Sequence, residues 1–406
     1  MPSSIRKALN ELPITLDETY ERILQGIPKQ KWQHAHRLFQ CLVAAIRPLR
    51  VEELAEIFAI EFGSNATHLV EDWRPENPEE AVLSACSTLV SIITDDEGSK
   101  IVQFSHFSVK EFLTSYRLQT SDIENVRQYY VSLEHAHTLL AQACLAVLLQ
   151  LDENVDKERL STFTLAFYAA EHWVDHAKFQ NVISQVRDAM EDLFNPMKPH
   201  FRAWLWIHDA GPWPSFSDRD DCPSPPDITS LYYAAFFGFS DLAKCLIITH
   251  AEDVNAKCRR GSTPLHAASL TGHVDAANVL LEYGTDINAK KEGDVTPLHL
   301  ASNYGHPKVV QFLLKHGAAV DARLDARHDY GRTPIYLASE QGYPEVVRLL
   351  LDHGADVNFR SFNDWTPFQV ATENGHHDIA RLLQDHGAEI GSESLDSEWG
   401  RTESPG

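Results

Sequence analysis

Apolar and polar positions recur along the C-terminal part of the chain with a period close to 33 residues. The block Thr263-Pro264-Leu265-His266-Ala267-Ala268 returns as Thr296-Pro297-Leu298-His299-Leu300-Ala301. It returns again as Thr333-Pro334-Ile335-Tyr336-Leu337-Ala338 and as Thr366-Pro367-Phe368-Gln369-Val370-Ala371, with spacings of 33, 37 and 33 residues. A weaker copy, Thr229-Ser230-Leu231-Tyr232-Tyr233-Ala234, precedes them by 34 residues. The extra four residues before Thr333 fall in the polar stretch 322–331.

Each block predicts two helices. Thr suits the N-cap and Pro the first helical position, where a missing N–H costs no hydrogen bond. Small residues such as Ala268 and Ala301 let helices approach closely, and Gly272, Gly305, Gly342 and Gly375 end the first helix. The second helix shows apolar spacing, as at Val309, Val310, Leu313 and Leu314, and stops at Gly284, Gly317, Gly354 or Gly387. One such unit cannot bury its apolar face alone, so the units must stack. Period and signature resemble ankyrin repeats, about five of them over residues 229–390. The resemblance implies protein binding on the concave side, formed by hairpin tips and the exposed side of the first helices. By position that side offers Phe236, Phe237, Arg260, Leu270, Tyr304, Tyr330, Arg332 and Trp365. Aromatic and Arg side chains are the types that dominate binding energy. Packing against the adjacent repeat is the competing role for each.

The first 228 residues read mainly as helix. A capping box at Thr15-Leu16-Asp17-Glu18 opens one helix, residues 31–46 form a second ending at Pro48, and Val51 to Phe58 a short third. Residues 63–80 are polar and Pro-rich, which predicts a surface loop, and a helix is expected at 81–87. Residues 89–94 and 100–104 then alternate as a β-hairpin around 95–99, and Ser108-Val109-Lys110-Glu111 reads as another capping box. Three helices and a hairpin predict a winged-helix-like domain over 1–118. Residues 119–210 form a helical connector. Its last segment, Phe201 to Ile207, is apolar enough to cover the open end of the first repeat. Residues 211–228 have linker composition, and the tail 391–406 is polar. The fold class is therefore mainly α.

The stretches at 12–24, 47–62, 102–115 and 168–177, above all His106-Phe107-Ser108-Val109-Lys110-Glu111-Phe112-Leu113, resemble fungal NACHT-class signalling NTPases of the vegetative-incompatibility type. In that family these segments follow the NTPase module and often lead into repeats. A phosphate-binding loop needs Gly-Lys followed by Ser or Thr, and no Gly-Lys dipeptide occurs in the chain. Nucleotide binding is not carried over, and no cofactor is expected.

Charge narrows the partners. The formal net charge is −23, which repels nucleic acid and anionic membranes. The expected third helix of the winged-helix segment carries Glu79 and Glu80, and the hairpin tip Asp95, Asp96 and Glu97, where DNA contact would need cations. The hairpin segments 254–262, 287–295, 320–332 and 357–365 run the other way, with nine basic and six acidic side chains. That excess fits a protein partner with an acidic surface. Simple solvation of long charged side chains at loop tips is the alternative.

The remaining chemistry is sparse. The six cysteines lack C-x-x-C spacing and read as reduced, buried thiols. His172 and His176 share a helix face beside Asp175, but zinc needs three or four ligands and H-E-x-x-H is absent. No metal site, nucleophile elbow, signal peptide or membrane span is evident, so a non-enzymatic, intracellular, cytoplasmic protein is expected. In the ankyrin family the His of the Thr-Pro-Leu-His block is structural, which would apply to His266 and His299. Three functions stay open: a protein-binding scaffold, the regulatory part of an oligomerising NTPase, and a winged-helix nucleic-acid binder.

Overall fold

The computed structural model describes residues 15–63, 67–96, 98–152, 155–210, 229–325 and 331–389. They fall into two compact units, divided between 225 and 226.

The first unit opens with α1 (Leu16–Gln25), α2 (Trp32–Ala44), β1 (Leu49–Arg50), α3 (Val51–Phe58), β2 (Ile60–Phe62), β3 (Thr67–Leu69), α4 (Pro78–Cys86), β4 (Val90–Thr94) and β5 (Lys100–Phe104). Thr15 caps α1 by accepting 3.2 Å from the Glu18 amide, as its sequence predicts. β4 and β5 form the expected hairpin, with Ile92 opposite Val102. β1 adds to the far edge of β5, Leu49 opposite Val102, giving the antiparallel order β1-β5-β4. The three-helix and wing arrangement follows.

Three local readings change. The polar stretch 63–80 is not all loop, because Thr67–Leu69 pairs with Ile60–Phe62. Its alternation is too short to register as a strand. The helix expected at 81–87 begins earlier, at Pro78, because Asn77 accepts 3.2 Å from the Glu80 amide and caps it. Ser108 is not the cap of its helix. The His106 ring does that work, accepting from the Ser108 amide at 3.3 Å.

Nine more helices follow among the described residues of the unit: α5 (Phe107–Leu113), α6 (Tyr116–Gln119), α7 (Glu124–Arg127), α8 (Leu133–Leu148), α9 (Lys157–Ser161), α10 (Ala166–Ala177), α11 (Val182–Gln185), α12 (Arg187–Phe194) and α13 (His200–Ala210). The long α8 packs against both α2 and α10. The segments expected as 1–118 and 119–210 therefore share one core. Buried Glu56 of α3 ties them, accepting from the Leu165 amide at 2.6 Å, the Thr164 hydroxyl at 3.0 Å and Arg74 at 2.7 Å. A buried carboxylate is tolerated only with such donors. α13 has a place inside this unit. Trp204 donates to the Ala170 carbonyl at 3.1 Å and meets the Trp173 ring edge-on at 5.7 Å. Cys41, Cys86 and Cys144 are buried free thiols, and burial pushes the Cys41 thiol up to about 12.

Among its described residues the second unit holds five helix pairs: α14 (Ser230–Phe237) with α15 (Ser240–His250), α16 (Pro264–Thr271) with α17 (Val274–Glu282), α18 (Pro297–Asn303) with α19 (Pro307–Lys315), α20 (Pro334–Gln341) with α21 (Pro344–Asp352), and α22 (Pro367–Glu373) with α23 (His377–Asp385). First helices pack on first helices and second on second, so each pair covers the next. Leu265, Ala268, Leu298, Ala301, Ile335, Ala338 and Val370, at repeating positions of the blocks, are buried.

Two side-chain ladders bind the stack. Asn288 accepts from the Ala319 amide at 2.8 Å and donates to the Gly317 carbonyl at 3.4 Å. Asn255 and Asn358 make the same two-way bridge to the following turn. His266 accepts from the Thr263 amide on Nδ1 at 3.2 Å, so Nε2 carries the proton and donates to the Val295 carbonyl of the next hairpin at 2.9 Å. Burial holds His266 and His299 down at about 4, and both are neutral near pH 7.

Candidate partner-binding surface

The helices fix where side chains of the second unit can reach a partner. Each first helix spends its Thr-Pro-Leu-x-x-Ala face on its neighbours, leaving its C-terminal end and the adjoining hairpin outside. Tyr304 sits at such an end, following α18, with 51% of its surface exposed. Trp365 sits in the last described hairpin, 39% exposed, its backbone pinned by a 2.9 Å bond from the Ser361 amide to its carbonyl. The same hairpin carries Phe362, 66% exposed, its ring against the backbone of Gly331. Sequence reasoning missed Phe362. The available signal was an aromatic at a turn position whose counterparts in the preceding repeats are the charged residues Arg259, Glu292 and Asp329.

The other expected contact residues divide. Arg260 is exposed at the first tip, in left-handed conformation with φ 63°, and pairs with Glu292 of the next tip at 3.4 Å. Arg332 points along its own helix instead, to Glu340 at 3.0 Å, with its guanidinium over the Tyr336 ring. Phe236 and Phe237 are half-buried in a ring cluster with Tyr233, 5.2 Å from each other. Leu270 is half-buried, and its carbonyl receives the His306 Nε2 proton at 2.9 Å. Tyr330 lies outside the described residues.

The tips are less positive than a simple count suggests. Lys290 pairs with Asp294 at 3.5 Å and Arg360 with Asp364 at 3.2 Å. Lys257 and Arg323 have no carboxylate partner among the described residues, and Arg323 lies over the Phe359 ring at 4.7 Å. The cationic end of the tip row is thus the first hairpin, and the aromatic end the fourth.

His172 and His176 are each engaged by neighbouring side chains of the first unit. His176 is fully buried and engaged by Tyr168 at 2.9 Å and His137 at 2.9 Å, whereas His172 lies against the Tyr168 ring. No group of three metal-ligating side chains comes together among the described residues. Among them too, no helix is long and apolar enough to cross a membrane.

Both units resemble known protein families. The family profile described as ankyrin repeats matches three times, at 231–323, 291–361 and 321–394. Residues 231–394 are ankyrin repeats. The winged-helix domain described from GPI inositol-deacylase matches residues 20–123 of the first unit. A curated relative, azaphilone pigments biosynthesis cluster protein L of Monascus ruber, is 33% identical over 289 residues, 68% of this chain. The chain spans 60% of that relative's length. The architecture is thus mainly α, a winged helix and helical segment followed by a repeat stack, of the kind that serves protein–protein interaction.

Proposed function

We propose that this chain is a protein-recognition scaffold without catalytic chemistry of its own, binding its partner along the hairpin tips of the ankyrin stack. The observation that carries the reading is the placement of Phe362, Trp365 and Tyr304. Large aromatic side chains of a well-packed repeat stand in solvent on the side left over by stacking. Such anchors supply binding energy where a partner excludes water from them. Lys257, Arg260 and Arg323 at the other tips would steer an acidic protein surface and set its register. Nucleic acid is the poorer partner, since α4 opens with Glu79 and Glu80.

A second reading is favoured by the winged-helix match and by the longer relative. The chain would then be the sensing portion of a fungal NACHT-type signalling protein. The recognition surface is the same in both.

The test is quantitative affinity capture from a fungal extract with the full chain, its Phe362→Ala/Trp365→Ala variant and a Glu345→Ala control on α21. A partner retained by the control and reduced at least about tenfold by the double variant supports the tip surface. A partner lost equally with the control, or unaffected by the double variant, contradicts it.

A further inference from the structure

The first unit contains a line of hydrogen bonds that the recognition surface does not use. The Ile46 amide, just past α2, donates to the Tyr168 hydroxyl of α10 at 3.2 Å. That hydroxyl lies 2.9 Å from His176 Nε2, and His176 Nδ1 lies 2.9 Å from His137 Nδ1 on α8. Tyr168 and His176 are fully buried, while His137 is half-buried and stacked on Phe179 at 4.0 Å. The line joins the winged-helix core to the helices that follow it. Arg47 reinforces the joint, lying over the Tyr168 ring and gripping Glu53 through two bonds of 2.6 and 2.9 Å.

Proton accounting gives the line a direction. An amide only donates, so the Tyr168 oxygen is an acceptor toward Ile46. Its own hydrogen has one acceptor among the described residues, His176 Nε2. His176 must then carry its proton on Nδ1 and donate it to His137 Nδ1, which leaves the His137 proton on Nε2. The opposite order would strand a buried hydroxyl hydrogen, at a cost of about 1–3 kcal/mol. A proton reaching His137 therefore lands on Nδ1, 2.9 Å from another N–H. Two donors cannot share that contact.

We propose that this line is a proton-driven conformational switch: protonation of His137 sets two N–H groups against each other, so the line either parts between α8 and α10 or reverses and strands the Tyr168 hydroxyl hydrogen, and either outcome loosens the joint at which Ile46 meets Tyr168, between the winged helix and the following helices. The surroundings set its sense. Lys110 from α5 faces His137, and His172 on α10 faces His176. Arg47 faces Tyr168 from the α2–β1 turn, with its charge taken up by Glu53. Glu171 and Asp175 engage His172 at 3.5 and 3.7 Å rather than the line. No carboxylate stands within ion-pair distance of His137 or His176 among the described residues, so nothing compensates a charge placed there. Burial first, and then Lys110, lower the His137 pKa, which puts the transition on the acid side of neutrality.

Two measurements on the full chain decide the matter. Long-range proton–nitrogen spectra of the ¹⁵N-histidine-labelled chain at pH 7.5, assigned by single-histidine substitutions, should place the proton on Nε2 of His137 and Nδ1 of His176. The reverse tautomers overturn the proposal without recourse to any engineered effect on folding. Amide exchange at Ile46, corrected for the intrinsic rate, should accelerate by about tenfold or more between pH 7 and pH 5. In His137→Gln, whose side-chain oxygen still accepts from His176 but does not titrate, that acceleration should vanish. Tyr168→Phe should leave Ile46 unprotected at both pH values. Equal acid acceleration in the unmodified chain and in His137→Gln overturns the switch.

Discussion

The ring of His306 occupies the space where a side chain on Gly272 would begin: a Cβ at Gly272 would lie 2.7 Å from its Nδ1, while its Nε2 donates to the Leu270 carbonyl at 2.9 Å. Gly272 ends the first helix of one repeat, at φ 81°, and His306 opens the second helix of the next. Gly272→Ala should therefore cost about 2–4 kcal/mol, from left-handed strain plus displacement of the ring. Gly354→Ala, at φ 84° with nothing near its Cβ position, should cost only about 1 kcal/mol. Chemical denaturation of the two variants checks the difference. Equal losses would mean that the ring does not hold the repeats together.

The asparagine ladder has one defective rung. Asp321 stands at the position of Asn255, Asn288 and Asn358, and accepts from the Asp356 amide at 3.0 Å. As a carboxylate it cannot donate to the Gly354 carbonyl as its counterparts donate to theirs. Asp321→Asn should stabilise the stack by about 0.5–1.5 kcal/mol, and Asn288→Asp should destabilise it by a similar amount. Paired urea titrations read both signs.

Acid should loosen the repeats through their buried histidines. Burial lowers His266 and His299 from 6.5 to about 4 in the folded state. Between those values the unfolded chain binds protons that the folded chain refuses, so stability rises with pH. The contribution is complete above about pH 6.5 and is lost as pH falls toward 4, on the order of 3 kcal/mol per histidine. Gln369 already fills this position in the fifth repeat, accepting from the Thr366 amide at 2.9 Å. His266→Gln should therefore flatten the acid limb of the stability profile while leaving stability near pH 7.5 within about 1 kcal/mol. An unchanged acid limb would show that His266 does not govern it.

Titration calorimetry of the full chain with Mg-ATP should give no saturable heat, since no Gly-Lys pair is present to build a phosphate loop. A micromolar dissociation constant would contradict the scaffold reading.

The repeat stack was legible because its rules are local. Thr-Pro at a helix start and Gly at its end each fix a few dihedrals, and the same side chains return one period later. The winged-helix hairpin was legible for the same reason, with Val90–Thr94 and Lys100–Phe104 bounding a turn-forming tip. What depended on distant partners was not. β2 and β3 are too short to show a period, and the His106 cap depends on a ring turning back to an amide. Among the expected contact residues, Tyr304, Trp365 and Arg260 stand exposed. Arg332 is drawn to Glu340, a partner eight residues away that a count of charges cannot assign. Phe362 escaped notice because exposure, rather than residue type, makes it a candidate. His176 looked like half of a metal pair with His172 because both lie on α10. Its actual partner, His137, comes from α8.

The most direct test of the tip surface is hydrogen–deuterium exchange on the full chain with and without the captured partner. The account predicts slowed exchange in the hairpins at 254–262 and 357–365 and around Tyr304, with the second helices α17, α19 and α21 unchanged. Protection confined to those second helices, or to the winged-helix unit, would contradict it.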